Sequence, residues 1–509
     1  MQAPSGPFKI LAINDYVPEK LKPWICIFFL LIMQFAGGGI YLATVNETMS
    51  ERALLQEDVM MAGYASMAGM ALIFTIMLRL KFRIPTKYAL MVCCSALIIC
   101  NIICLYTNNL FVLVATCFVA GMFRMWATFE FNSTIQLWIT PKRDMPVFFS
   151  YVYLVVNGMI LIGGAADLYI GYLTNVHYLN WFVIGLLLFM MLSVMLLFNS
   201  RRFMPNMPLF GIDWLGAFMW GLSMLTLNFI MIYGDFYDWL DAWQIRSAIV
   251  ILVILVGLNL YRASFIRHPF IAIQTFKFRP VFQSLILYIV IDILIAPSHL
   301  IEHIYFESIL GFDIPHMAQV NFVSLTGIIA GSIFVWRYFA VHKHSFKATM
   351  LIGLSAILLH LLLMYFVIDI HLSKEYLVIP LFLRNFGYVV MAVALLSDLM
   401  NVPFPNFFQS LSVQAFISAA CGGAIGVAVI QRMLRVISTK NFQLLSMDLD
   451  KLNSKLHQTD ANTLDTLLSQ QILVGSFKEI YGYLVICAII FFIAFAVLKQ
   501  PKPQLPPAH

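Results

Sequence analysis

The stretch VFQSLILYIVIDILIAPSHLIEHIY, residues 281–305, sets the reading of the whole chain. It exceeds the roughly 20 residues that a helix needs to cross a hydrocarbon core. In lipid such a segment is helical, because a helix satisfies its own backbone hydrogen bonds where no water reaches them. Similar apolar segments lie near 24–44, 58–78, 88–106, 110–138, 146–173, 180–198, 212–233, 247–265, 317–338, 348–368, 376–398, 410–432 and 477–498. With 281–305 they predict about fourteen spans. Apolar residues make up 61% of the chain and charged residues 11%, too few charges for the surface of a soluble protein of 509 residues. The sequence therefore reads as an all-α polytopic membrane protein.

The net charge of +6 is laid out by loop. Arg79, Lys81, Arg83 and Lys87 fall in one loop, Lys142 and Arg143 in another, and Arg201 with Arg202 in a third. Arg262, Arg267, Lys277, Arg279, Arg337, Lys343 and Lys347 continue the series, while the alternate short loops hold only Arg52, Arg246 and Lys374. This positive-inside pattern places both termini in the cytoplasm and explains the charge without a nucleic-acid partner. The eight cysteines all fall within predicted spans and lack zinc-ligand spacing, so they read as small buried hydrophobes. The polar first 22 residues, with no cleavage site after the first apolar run, predict a retained first span.

The two halves of the chain echo each other. The fourth span carries Cys-Phe-Val-Ala-Gly121 and the twelfth Arg384-Asn385-Phe-Gly387. One span later come Gly163-Gly164 and Gly422-Gly423. Small residues of this kind let helices approach closely, and two parallel halves moving about a central site form a transporter plan.

On these features the chain resembles the fourteen-span drug:proton antiporter branch of the major facilitator superfamily. The likeness covers nearly the whole chain and is best over 205–283: Gly211-Ile-Asp213-Trp214-Leu215-Gly216, the acidic aromatic loop from Gly234-Asp235 to Trp243, Arg267-His268-Pro269-Phe270 and Phe276-Lys277-Phe278-Arg279. Asn180-Trp181-Phe182 and Gly422-Gly423-Ala-Ile-Gly426 also match. The resemblance implies a major-facilitator-type fold, two six-helix bundles plus two inserted helices, with 14 transmembrane helices. It divides the chain into a cytoplasmic segment 1–22, a first bundle 23–200, a linker and inserted pair 201–280, a second bundle 281–498 and a tail 499–509. An external loop, 433–476, carries helical spacing in Leu445, Leu449, Leu452 and Leu456. The implied function is a secondary active transporter in a bacterial inner membrane that exports small amphipathic compounds or drugs, coupled to protons. A periplasmic adaptor and an outer-membrane channel are the implied partners, and no cofactor is expected.

The sequence also departs from that branch. The usual first-span aspartate position falls in Gly37-Gly38-Gly39, and the fourth-span arginine position is Cys117. Arg124, two turns further along the same face, is the candidate replacement. A dedicated exporter of an endogenous lipid or pigment-like metabolite is the alternative reading.

Ionisable groups at bilayer depth are costly unless paired, so each is a functional candidate. Asp292 and Glu130 are candidate proton carriers, and Arg124, Arg384 and Asn385 candidate substrate or charge-pair residues. On an uninterrupted helix Asp292, His299 and His303 share one face, with Glu302 alongside, forming a possible proton path kinked at Pro297. Asp167 and Asp398 read as solvated helix-end groups, and Glu307 as an interfacial one. His299-Leu-Ile-Glu302-His303 spells an inverted zinc-protease motif, but no third ligand is evident and no metal site is assigned. A membrane-embedded metal-dependent enzyme or sensor is the remote alternative. Gly121, Gly163, Gly164, Gly387, Gly422 and Gly423 are the expected conformational glycines.

Overall fold

The computed structural model describes residues 8–36, 39–201, 209, 211–298, 300–447 and 461–498. Among them thirteen helices are long and apolar enough to cross a membrane, and a shorter apolar helix precedes them. In the first half they are α1 (Lys22–Phe35), α2 (Gln56–Arg83), α3 (Thr86–Tyr106), α4 (Leu110–Ile139), α5 (Met145–Leu173) and α6 (Val176–Leu197). An inserted pair follows, α7 (Trp214–Tyr233) and α8 (Trp243–Phe265). The second half holds α9 (Arg279–Ile295), α10 (Ile314–Val335), α11 (Phe346–Val367), α12 (Val378–Asp398), α13 (Phe404–Met447) and α14 (Ala461–Val497). Among the described residues an isolated bridge joins Ile13 and Phe198.

Each half has its own core. One cluster packs Leu30, Met33, Leu90, Leu97, Phe131 and Leu187. The other packs Tyr288, Tyr305, Leu361, Leu381, Phe477 and Tyr481. The halves meet where α2 lies against α13 and α5 against α10. The inserted pair packs on itself and, through α7, on α2 and α13. Tyr233 of α7 reaches Asp58 of α2 with its hydroxyl.

Four spans differ from the sequence reading. The first was expected over 24–44, but α1 ends at Phe35. Gly39 adopts φ +95°, and a Cβ there would sit 2.7 Å from Cys104 Sγ, so the chain turns where only glycine fits. A 3-10 turn (Leu42–Thr44) and a short helix (Val45–Arg52) complete the connection.

The ninth span is broken. α9 stops at Ile295, and the chain passes through a 3-10 turn (Ala296–Ser298), one turn of helix (Ile301–Ile304) and a π turn (Tyr305–Ile309). Pro297 has no N–H to offer, which removes a rung of the helical ladder here. An uninterrupted periodicity therefore does not carry from Asp292 to His303, and His299 lies outside the described residues.

The thirteenth and fourteenth spans run far past their expected limits. Most of 433–476 is helix rather than loop: α13 continues to Met447 through a π turn at Phe416–Cys421, and α14 begins at Ala461. The two extensions pack as a hairpin, fastened by Lys440 Nζ to Glu479 (2.9 Å) and by Asn441 Nδ2 donating to Ser476 Oγ (3.0 Å). Leu449, Leu452, Leu456 and the tail 499–509 fall outside the described residues.

The segment before α1 is also more than a polar leader. Ile10, Ala12, Ile13 and Val17 are buried in the first core. Asn14 N–H donates to Leu197 C=O (2.9 Å) and Asn199 N–H to Ala12 C=O (2.8 Å). At the start of α11, Lys347 Nζ caps Ala496 C=O near the end of α14 (2.5 Å).

Candidate functional site

Four polar clusters interrupt the apolar interior. The first surrounds Asp292 on α9. Its carboxylate lies against Gly422 of α13, where a Cβ would collide with Oδ2 and with Ile417 C=O. Oδ2 is buried and makes no hydrogen bond. Tyr64 of α2, Tyr153 of α5 and Tyr388 of α12 lie within electrostatic range of it. Tyr64 also touches the neighbouring glycine: a Cβ on Gly423 would sit 3.1 Å from its hydroxyl. Nearby, Gln414 Nε2 donates to Tyr288 Oη (2.8 Å), and that hydroxyl donates to Ala392 C=O (3.2 Å). Tyr153 Oη lies 3.5 Å from Tyr288 Oη. Helices from both halves thus contribute tyrosines around one carboxylate.

The second cluster lies inside the second half. Glu302 Oε2 pairs with Arg384 of α12, whose Nη2 also donates to Ser324 Oγ of α10 (3.4 Å). The other oxygen, Oε1, faces His360 Nε2 of α11 at 3.8 Å. His360 Nδ1 lies 2.9 Å from Pro380 C=O. The break in α9 turns Glu302 inward, and it is 3% exposed. The next residue, His303, turns outward and pairs with Glu307 (3.2 Å), both about half exposed. Glu302 and His303 of the inverted zinc-protease motif thus face opposite ways, His299 lies outside the described residues, and among the described residues no group of three ligand side chains could hold a metal. Asn385 only donates to Leu381 C=O in its own helix (3.1 Å).

The third cluster belongs to the first half. Arg124 Nη2 donates to Gln34 C=O of α1 (2.7 Å), and its Nε is buried without a partner. Gln34 Nε2 donates to Thr128 Oγ1 (2.8 Å). Asp167, expected to be solvated, is 6% exposed, and its Oδ1 has no partner. The expectation failed because this face of α5 packs inward, with Tyr41 and Arg124 within electrostatic range of the carboxylate.

The fourth pair lies near the segment 8–12. Lys81 Nζ meets Glu130 Oε2 at 2.5 Å and bonds Thr86 (3.0 Å) and Thr134 (3.4 Å). Both partners were visible in the sequence, but their meeting was not. A recess of about 180 Å³ opens beside them, lined by Phe8, Lys81, Thr86, Thr134, Trp138 and Arg201. It is remote from Asp292, and its position reflects the docking of residues 8–12 onto the bundle.

The glycines play different parts. A Cβ on Gly121 would collide with Ser66 C=O, so α2 and α4 cross in direct backbone contact. A Cβ on Gly387 would likewise sit 2.7 Å from Gly353 C=O of α11, whereas one on Gly163 would make only ordinary contact with Phe35 at 3.4 Å. His360 and Asp167 are two interior titratable residues that sequence reasoning did not place inside. His360 sits alone in an apolar run with no partner nearby in sequence, so only long-range packing could single it out.

The sequence matches no protein-family profile and no curated protein. Solved structures resemble it along almost the whole chain. A peptide transporter in complex with sulfate aligns at TM-score 0.58 and 14% identity, over 94% of this chain and 94% of that one. The nucleoside transporter NupG aligns at 0.52 and 13%, over 94% and 100%. The human organic anion transporter MFSD10 aligns at 0.52 and 11%, over 94% and 100%. With its apolar helices and its two packed halves, the chain is a multi-pass membrane protein whose fold is of the major facilitator type.

Proposed function

We propose that this protein is a secondary active transporter that exports an amphipathic compound by alternating access, driven by proton influx, with both termini in the cytoplasm. The observation that carries the reading is Asp292, a carboxylate enclosed between the halves with one oxygen unpartnered and no cation within ion-pair distance among the described residues. An ionised, unpaired carboxylate in such a place is expensive, while its protonated form can donate to a neighbouring tyrosine hydroxyl. Protonation then favours whichever arrangement of the halves encloses Asp292, and ionisation favours the one that hydrates it. A proton drives the cycle only through such a difference between states. Tyr64, Tyr153, Tyr288 and Tyr388 supply aromatic surface and hydroxyls suited to an amphipathic substrate.

The test is proton-gradient-driven transport of a lipophilic cationic dye in proteoliposomes, comparing the native chain with Asp292→Asn. The expected result is gradient-driven transport that falls at least tenfold in the variant while dye binding persists. Full transport by Asp292→Asn would remove Asp292 from coupling. No dye transport by the native chain would favour the dedicated exporter of an endogenous lipid or pigment-like metabolite.

A further inference from the structure

His360 and Glu302 are arranged around a missing proton. A carbonyl oxygen only accepts, so the 2.9 Å contact between His360 Nδ1 and Pro380 C=O requires the proton on Nδ1. In the neutral ring Nε2 is then a bare lone pair. It faces Glu302 Oε1 at 3.8 Å, and that oxygen is itself buried without a hydrogen bond. Two acceptors thus point at each other inside the bundle, at 1% and 3% exposure. Both are held from behind, His360 by Pro380 C=O and Glu302 by Arg384.

We propose that the Glu302–His360 pair is a proton-binding site of the second half, separate from Asp292, with Arg384 as its positioning residue. One proton on Nε2 turns the repulsion of two opposed acceptors into an attraction that draws them from 3.8 Å to hydrogen-bond distance, a charge-assisted hydrogen bond. The groups around it come from every neighbouring element. They are Ser324 on α10, Arg384 on α12, Tyr305 beyond α9 and Tyr481 on α14, whose hydroxyl is buried without a partner. With neutral His360 the charges of Glu302 and Arg384 cancel; the added proton leaves a net charge of +1 in a dry bundle. That charge is tolerated better in a conformation that admits water, so binding the proton biases the halves. This consequence for transport rests on the reading proposed above; the proton site itself does not.

The primary test therefore needs no transport. Protein with 15N-labelled histidine and 13C-carbonyl proline, reconstituted in lipid, is followed by solid-state NMR across the pH range in which it stays folded. His360 is assigned by its contact with the Pro380 carbonyl, so no variant is required. The expected result is an Nδ1–H neutral ring at alkaline pH that becomes imidazolium on acidification, at a pH that moves in Glu302→Gln. An Nε2–H tautomer, or one protonation state throughout, would overturn the site. The second arm uses proteoliposomes. His360→Gln is expected to retain substrate exchange while gradient-driven accumulation falls several-fold and loses its pH dependence. Unchanged accumulation and pH profile would overturn the coupling role while leaving Asp292 untouched.

Discussion

At Gly422 the absence of a side chain is what leaves room for the Asp292 carboxylate. An alanine methyl would overlap both Oδ2 and Ile417 C=O, and the carbonyl is backbone that cannot readily retreat. Gly422→Ala is expected to cost about 1–3 kcal/mol, the usual penalty of overpacking. Thermal unfolding in detergent checks this, and an unchanged midpoint would show that the carboxylate has space to move. Glu130 presents the opposite problem, a fully buried carboxylate that does have its cation. Lys81→Met would leave it unpaired, at a cost of roughly 3–5 kcal/mol, whereas the double change with Glu130→Gln is expected to recover much of the loss. A double change as unstable as the single one would refute that account. Glu130 and Asp292 were both legible in the sequence as charges at membrane depth. That one has a lysine and the other an empty oxygen was not, since their surroundings come from other helices.

At the scale of elements, the inserted pair is tied by Asp213, which caps α7. Its Oδ1 accepts from Gly216 N–H (2.9 Å) and from Arg262 Nη2 at the end of α8 (2.7 Å). Burial alone would raise the pKa of this carboxyl. The Arg262 guanidinium and the N–H groups of Gly216 and Phe270 outweigh it and hold the pKa below the usual carboxylate value. A depressed pKa contributes stability above the unfolded value, near pH 4, and loses it as pH falls through the folded one. Asp213→Asn is therefore expected to unfold earlier than the native chain at neutral pH, with the gap closing below about pH 4. A gap that stays constant with pH would assign the effect to the cap alone. Helix breaks matter at this scale too. Pro297 signalled a kink, but whether the chain resumes with Glu302 inward and His303 outward depends on what α11 and α12 offer. They offer a histidine and an arginine.

For the whole molecule, the halves touch at two separate places. Asn46 lies 3.4 Å from Glu307. Phe129 meets Phe408 edge to face at 6.3 Å. Under the proposed alternating access these contacts part in turn. Asn46→Cys with Glu307→Cys, joined by a short bifunctional thiol reagent, is expected to abolish transport, and cleavage of the linker to restore it. Transport by the cross-linked protein would rule out opening at that contact. The third helix of each half also buries a polar residue: Asn101, which accepts from Tyr41 (3.2 Å), and His360. The buried group is uncharged on one of these helices and titratable on the other.

The sequence by itself determined the class of the molecule. Apolar runs of membrane length must become helices, because lipid offers their backbone no other partner. It also marked most of the ionisable groups, since a charge inside such a run stands out without any knowledge of its neighbours. The tertiary structure decided everything that depends on two helices at once. It brought Lys81 to Glu130 and His360 to Glu302, kept Asp292 unpaired beside Gly422, buried Asp167 and turned an expected loop into a helical hairpin. Each of these rests on contacts between residues far apart in the chain, and helical periodicity carries information only along a single helix.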